Sequence, residues 1–403
     1  MSEPVAFDPW DPQFAADPYP GYAELRARGR VHYFAPTDQW LVPGHADVRA
    51  LLTHRSLGRS YTHRFGHEEF GRPAPLPEHE PFTTLDANGL LDLEPPAHPR
   101  VRRLVSQAFT PRTVERLAPV VRRLAASLVD TLLADGGGDL IADVAEPLPV
   151  AVIAELLGVP PADRGLLRPW SADICAMYEL NPSPETARRA VRASTEFSDY
   201  LRELIASRRC SPGDDLISAM IAAYEAGDRL SEQELVSTCV LLLNAGHEAS
   251  VNATGNSWWA LFQHPQQLAA LRGNPALLPT AIEELLRYDS PLHLFERWVL
   301  DDVEVAGTVI PRGSEVALLF GSANHDPARF AEPTRLDLAR ADNPHLSFGA
   351  GIHYCLGAPL ARLELTAVFE ELLTRAPGLH AVADPPRKPG FVQRGLRELL
   401  VAA

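Results

Sequence analysis

The feature that most constrains this chain is a long helix at residues 231–264. Ser231 and Glu234 form an S-x-x-E capping box, and helical residues then continue to Pro265. At 1.5 Å per residue the span predicts a helix of about 34 residues, roughly 50 Å long. Its stretch VLLLNAG, residues 240–246, is apolar almost all round. Such a helix crosses the interior of a protein and does not ride on its surface.

The rest of the chain must pack around that rod. Helical patterns recur over about 99–134, 185–209, 279–288 and 358–376, with Thr110 placed to cap and Pro111 to begin a helix. Residues 39–54 read as a strand followed by a helix, and short β segments fall within 297–320. Residues 57–90, rich in His, Pro, Gly and Phe, show no period and read as a long irregular segment, of the kind that is either a functional lid or disordered. The tail GFVQRGLRELLVA reads as a hairpin. The 37 prolines are spread throughout, so they punctuate elements and mark no single hinge. The expected class is mostly α with small β-sheets.

Charge and cysteines narrow the function. A net charge of −15 argues against nucleic acid as a partner. The start MSEPVAFDPWDPQF has neither a basic n-region nor an apolar stretch, and no run of about 18 apolar residues occurs. A cytoplasmic protein with no membrane span is expected. The four cysteines form no CxxC pair and are too sparse for a disulfide framework, so free thiols in a reducing compartment are expected.

One of them, Cys355, sits in the loop Ser347-Phe348-Gly349-Ala350-Gly351-Ile352-His353-Tyr354-Cys355-Leu356-Gly357. The glycines let backbone pass close to a flat object. A helix starting near Ala358-Pro359 aims its free N–H groups and positive dipole end at the sulfur, which favours thiolate. An anionic sulfur in a glycine-lined shell suits an iron ligand. The plainer alternative is a buried free cysteine beside a turn. Zinc is poorly supported, because only His353 and Cys355 cluster and tetrahedral zinc needs three or four protein ligands.

The run F-G-x-G-x-H-x-C-x-G, Phe348 to Gly357, resembles the cysteine-loop signature of the cytochrome P-450 family, with every fixed position present. The resemblance implies a triangular, single-domain haem protein spanning residues 1–403. It implies haem b with Cys355 as its axial thiolate, a ligand that favours O–O cleavage. It gives His353 to a haem propionate, makes Phe348 a shield of the sulfur and places Gly357 against the cofactor. Pro95-Pro96-Ala97-His98-Pro99-Arg100-Val101-Arg102 resembles the segment entering the family's propionate-binding helix. His98 and Arg102, four apart, share a helical face there. Arg297 matches a further propionate ligand. Glu284 and Arg287 match the family's E-x-x-R, and Arg335 matches the arginine that completes its buried structural network. Each match alone would be a surface charge; together they run in the family's order from about residue 95 to 357.

On the long helix the family shows A/G-G-x-D/E-T, whereas this chain reads Ala245-Gly246-His247-Glu248-Ala249-Ser250. Gly246, unfavourable mid-helix by roughly 1 kcal/mol, either opens the helix for dioxygen or admits a tightly packed neighbour. The acid Glu248 is present. Ala249 replaces the threonine that helps deliver protons, and it offers no hydrogen-bonding group. Ser250 is rotated about 100° from it and is no simple substitute. Some actinobacterial polyketide-tailoring members resemble this chain in carrying Ala-Ser here, with a substrate hydroxyl and water completing the relay.

By the same resemblance the substrate pocket draws on 57–90, 165–182, 240–250, 291–296 and 390–394. Asn244, Ala245, Met177, Tyr178, Leu292, His293, Leu294, Phe295, Phe391 and Val392 are its candidate residues, and a mid-sized polyketide or macrolide-like secondary metabolite is its implied occupant. The 403 residues include no flavin or ferredoxin module. NAD(P)H electrons are therefore expected through a ferredoxin and its reductase, docking near Arg102, Arg103, Arg112 and Arg362. The resemblance implies a monomer using O2 to hydroxylate or epoxidise. Two other readings stay open: oxidative coupling of an aromatic or peptide substrate, with loss of two hydrogens instead of gain of oxygen, and a haem-binding protein without turnover.

Overall fold

In the computed structural model, which describes residues 7–106, 109–225 and 230–403, the capping box at Ser231 is formed. Its hydroxyl accepts from the Glu234 N–H at 3.1 Å, and the Glu234 carboxylate accepts from the Ser231 N–H at 2.7 Å. The helix runs Glu232–Gln263 and stops at His264, held non-helical ahead of Pro265, which opens the next helix.

The helices framing the interior are α1 (Glu80–Asn88), α2 (Ala97–Ser106), α3 (Pro111–Ala134), α4 (Pro147–Leu157), α5 (Arg164–Cys175), α6 (Pro184–Cys210), α7 (Glu232–Gln263), α8 (Leu278–Tyr288) and α9 (Ala358–Arg375). Thr110 caps α3 by accepting from the Thr113 N–H, with Pro111 as its first residue. Helix α7 touches α1, α4, α5, α6, α8 and α9, so its all-round burial follows from its position as the central rod. Gly255 marks the tightest crossing: a Cβ there would lie 2.6 Å from Ile141 Cδ1.

A five-stranded sheet flanks the helices, formed by β1 (His32–Phe34), β2 (Gln39–Val42), β3 (Leu57–Gly58), β4 (Phe295–Val299) and β5 (Glu315–Leu318) in the order β1-β2-β5-β4-β3. β2 pairs parallel with β5, from Gln39 opposite Glu315 to Val42 opposite Leu318, while the remaining pairs are antiparallel. Smaller sheets join Leu400–Ala402 to Gly137–Asp139 and His380–Ala381, and Val303–Val305 to Thr308–Ile310. The mostly helical class with small sheets is what the sequence predicts.

Two expectations change. Residues 57–90 are not irregular throughout, because α1 forms at their end on the strength of Phe82 and Leu85, a single buried pair too short to show a period. The tail 390–402 is one arm of a hairpin and not a whole one: Arg387 pairs with Leu396, and the Lys388 N–H donates to Gly395 O at 3.0 Å. Residues 107 and 108 of the predicted 99–134 helix lie outside the described residues. No helix among the described residues is long and apolar enough to cross a membrane. All four cysteines are free.

Candidate active site

The cysteine loop folds back on itself before α9. The Cys355 N–H donates to Phe348 O at 2.9 Å, so the loop closes around the sulfur. Gly351 takes a φ of 73°, and a Cβ on it would meet Leu52 O at 2.7 Å. Only glycine fits that turn. Burial pushes the Cys355 thiol up, while the N–H groups of Gly357 and Ala358 and the charges of Arg102 and Arg362 pull the other way. The donors expected from the helix start are thus present, although burial outweighs them in the isolated thiol. Phe348 is covered by the Arg362 guanidinium, 4.5 Å from its centroid, and it packs at the core margin.

A second cluster lies beside this loop. The rings of His98 and His353 stand 4.5 Å apart; the His98 Nε2 is buried without a hydrogen-bond partner among the described residues, while the His353 Nε2 lies 3.5 Å from the Glu94 carboxylate. Burial holds His98 near 4, with His353 and Arg102 adding to the effect. Arg297, buried at 3% exposure, donates only to the neighbouring Glu296 carbonyl and forms no ion pair among the described residues. Burial and the nearby Arg59 lower it to about 9. Arg59 and Arg297 lie 4.5 and 4.9 Å from the centroid of Phe295. Buried donors with nothing to donate to are costly unless an anion completes them. His98 with no acceptor and Arg297 with no ion pair among the described residues, beside a shielded thiol and a glycine-lined loop, fit a porphyrin with its carboxylates. Arg102, expected among them, turns to the sulfur side and donates to Tyr354 O at 2.7 Å.

Beneath the cluster, Arg287 grips both Glu284 oxygens at 2.7 and 2.8 Å, with both side chains fully buried. Arg335 does not complete this network with its side chain. It is exposed and pairs with Glu332, lending only its carbonyl to Arg287. The arginine that does reach Glu284 is Arg340, at 3.0 Å. Arg335 and Arg340 are five residues apart in one irregular segment, so spacing alone could not separate them.

On α7 the helix continues unbroken through Gly246, where a Cβ would approach Ile153 Cδ1 at 3.1 Å. Close packing against α4, not a local opening, accounts for that glycine. Ala245 and Ala249, one turn apart, keep exposed surface on a helix otherwise largely buried. Glu248 points elsewhere, into an ion pair with Lys388 of the tail hairpin. His247 is buried against Ser171 of α5 at 3.2 Å and is lowered to about 4 by burial. The Ser250 hydroxyl faces Glu364 of α9, a carboxyl that burial raises to about 8 and that Ser250 draws partway back. The motif pattern did not reveal Glu364. A signal existed, since Leu360, Glu364 and Val368 share one face of α9 and the acid interrupts an apolar stripe.

The predicted pocket residues divide. Asn244 and Tyr178 line a small cavity with Leu85, Asp86, Asp92 and Leu241. Tyr178 donates to Asp86 at 2.9 Å, and the Asn244 Oδ1 is buried without a partner among the described residues. Met177 packs at the core margin. Leu292 pairs with Gln393 across the tail. His293, Leu294, Phe391 and Val392 are buried away from the cavity. His293 bonds the Tyr22 hydroxyl at 2.9 Å, and the other three join a cluster with Phe7 and Tyr22. Their apolar character serves the docking of the N-terminal segment. Glu179, which the sequence left unmarked, accepts three tail N–H groups, from Phe391 at 2.7 Å, Val392 at 3.0 Å and Gln393 at 2.9 Å.

The model of the cytochrome P-450 family matches residues 168–376. The chain is 41% identical over 396 residues to the cytochrome P-450 monooxygenase PikC of Streptomyces venezuelae, covering 96% of this chain and 91% of that protein. It is 40% identical over 369 residues to the 6-deoxyerythronolide B hydroxylase of Saccharopolyspora erythraea, covering 91% and 90%. The crystal structure of P450BioI with an acyl carrier protein bearing hexadec-9Z-enoic acid superposes with a TM-score of 0.91 at 36% identity, covering 98% of this chain and 100% of that one. With the cysteine loop, the buried Glu284–Arg287 pair and the central helix all in place, this chain belongs to the cytochrome P-450 family and is a monooxygenase of it.

Proposed function

We propose that this enzyme hydroxylates or epoxidises a mid-sized, polyketide or macrolide-like secondary metabolite, drawing NAD(P)H electrons through a ferredoxin and its reductase. Haem iron supplies the oxygen-activating chemistry of the family. In this chain Cys355 would hold the iron, and His98, His353 and Arg297 would hold the propionates, His98 through a buried nitrogen with no partner and Arg297 through a buried guanidinium with no ion pair among the described residues. Arg102 would instead brace the cysteine loop.

The observation that carries the reading is Ser250 facing Glu364 while Ala249 offers no hydroxyl. The proton supply is displaced by one residue and now begins at an acid on α9. At neutral pH Glu364, raised to about 8, is protonated and can donate to Ser250. With no hydroxyl at Ala249, a polar group of the substrate and water would complete the relay. The likeness to the 6-deoxyerythronolide B hydroxylase supports a substrate of that class. The acyl carrier protein in the P450BioI complex supports a second reading, in which the substrate arrives on a carrier.

The test is to confirm the thiolate signature of the reduced CO complex, then titrate macrolactones, steroids and phenolic peptides while following iron spin state. Saturable conversion to high spin by macrolactones, with a product one oxygen heavier, is the expected result. Conversion only by phenolic peptides, with a product two hydrogens lighter, would replace hydroxylation by coupling.

A further inference from the structure

The cavity shared by Asn244 and Tyr178 is built where three helical segments meet. Asp86 comes from α1, Tyr178 from the turn that follows α5, and Ser237, Leu241 and Asn244 from α7, while Asp92 reaches it from the loop after α1. It has room for about one water-sized group. Its polar lining is one-sided: no basic side chain lines it among the described residues. The Tyr178 hydroxyl is spent on Asp86 Oδ1, and the Ser237 hydroxyl accepts from Gln233 at 3.2 Å.

What is left over is acceptor capacity. Asn244 is 4% exposed, and its Oδ1 has no partner among the described residues. Arg59 places both of its contacts with Asp92 on a single oxygen, Oδ1, at 2.9 Å, and Tyr178 uses one oxygen of Asp86. Buried acceptors of this kind are costly unless a donor completes them. The two carboxyls also share one guanidinium, so the site is short of positive charge. Burial and the neighbouring Asp92 raise Asp86 to about 8, as expected of an acid without its counter-charge.

A hydroxyl would satisfy Asn244 and leave the acids as they are. A primary ammonium answers all three groups. It carries three N–H donors, no acceptor and a full positive charge, and it is about the size of the water that the cavity admits. Leu85, Ile174 and Leu241 supply apolar wall for the carbon that bears it. Asn244 precedes Ala249 by five residues, about 7.5 Å along the axis of α7, so an ammonium held here anchors one end of a substrate whose body reaches the oxygen site.

We propose that this cavity binds a primary ammonium group of the substrate, with Asp86, Asp92 and Asn244 as the acceptors that select it. The inference rests on the reading of the cavity as part of the substrate pocket, and it narrows the substrate to one that carries a free amine.

Decylamine and decanol test this in the haem-loaded enzyme, because they differ only in the group at one end. An amine that misses the cavity ligates the iron through nitrogen and moves the Soret band to the red. An amine held in the cavity leaves only its chain near the iron, which turns high spin. Decylamine should give the high-spin spectrum and bind about tenfold tighter than decanol, or more. Asp86→Asn should remove most of that preference, turn the decylamine spectrum to the nitrogen-ligated form and leave decanol affinity within about twofold of the parent. Asn244→Leu should weaken decylamine more than decanol.

Equal affinity for the two ligands, a nitrogen-ligated spectrum in the parent, or a full preference surviving in either variant would overturn the proposal and leave water as the occupant of the cavity. If Asp86→Asn does not take up haem, the comparison in Asn244→Leu decides. Oxidation of amine-free macrolactones by an enzyme with no amine preference would keep the proposed function and remove this inference. An amine preference with no macrolactone oxidised would do the reverse.

Discussion

The carboxyl of Glu364 faces the hydroxyl of Ser250 across the contact between α9 and α7, and burial lifts it to about 8. A carboxyl raised in this way carries its proton at neutral pH and loses it as pH rises through about 8. Product formation should therefore decline across that limb. Glu364→Gln should flatten the limb and slow turnover by about 10²-fold, the low end for loss of a general acid. The same shift favours the folded state most below the usual carboxyl value of 4.5, and this advantage drains away as pH rises from 4.5 to about 8. Stability measured across that window should slope less in Glu364→Gln. A pH profile identical to the parent would remove Glu364 from the relay.

Ala249→Thr restores the hydroxyl common in the family, at a position not packed into the core. If the proton supply runs through Ser250, the restored threonine should leave product per NADPH consumed within about twofold of the parent, while Ser250→Ala should lower it by roughly tenfold. Coupling measurements on one macrolactone check both. A several-fold gain from Ala249→Thr would mean that the relay is incomplete without it.

Arg297 tests the anion cradle. Its guanidinium is buried without an ion pair among the described residues, and a hydrogen bond to a charged group contributes about 1.5–3 kcal/mol. Arg297→Leu should speed haem transfer to apomyoglobin by about tenfold or more, with the Cys355 thiolate signature intact. Transfer at the parent rate would show that the propionates are held elsewhere.

Glu284 and Arg287 are each other's counter-charge with no water access. Removing one partner of such a pair costs about 3–5 kcal/mol, so Arg287→Leu should sharply reduce holoprotein yield and the midpoint of denaturant unfolding. Arg340→Ala should weaken the same network, whereas Arg335→Ala should stay within about 0.5 kcal/mol of the parent, as surface substitutions do.

Regular local codes are legible in the chain itself. The capping box at Ser231, the proline start of α3 and the loop from Phe348 to Gly357 each depend on neighbours in sequence, and each is formed where those neighbours require it. Asn244 and Tyr178, drawn from two separate predicted pocket segments, meet at one small cavity. What the sequence hides depends on the third dimension. His293, Leu294, Phe391 and Val392 are apolar or aromatic residues near a pocket, yet they pack on Phe7 and Tyr22, which arrive from about 270 to 385 positions away in sequence. Arg340 rather than Arg335 reaches Glu284 because an irregular segment carries no period. Lys388 and Glu364 are legible only as oddities of usage: a solitary lysine and an acid on an apolar stripe.

The parallel pairing of β2 with β5 has a consequence for how the molecule is made. Gln39–Val42 cannot take its central place in the sheet until Glu315–Leu318 has left the ribosome. At bacterial rates of about 5–20 residues per second, that leaves the strand waiting for roughly 15–55 s. Through that interval Trp40, Leu41 and Val42 are apolar groups awaiting their partner strand. The nascent chain thus carries this strand without its parallel partner for most of its synthesis, and fragments that end before residue 315 lack the strand that seats their own beginning.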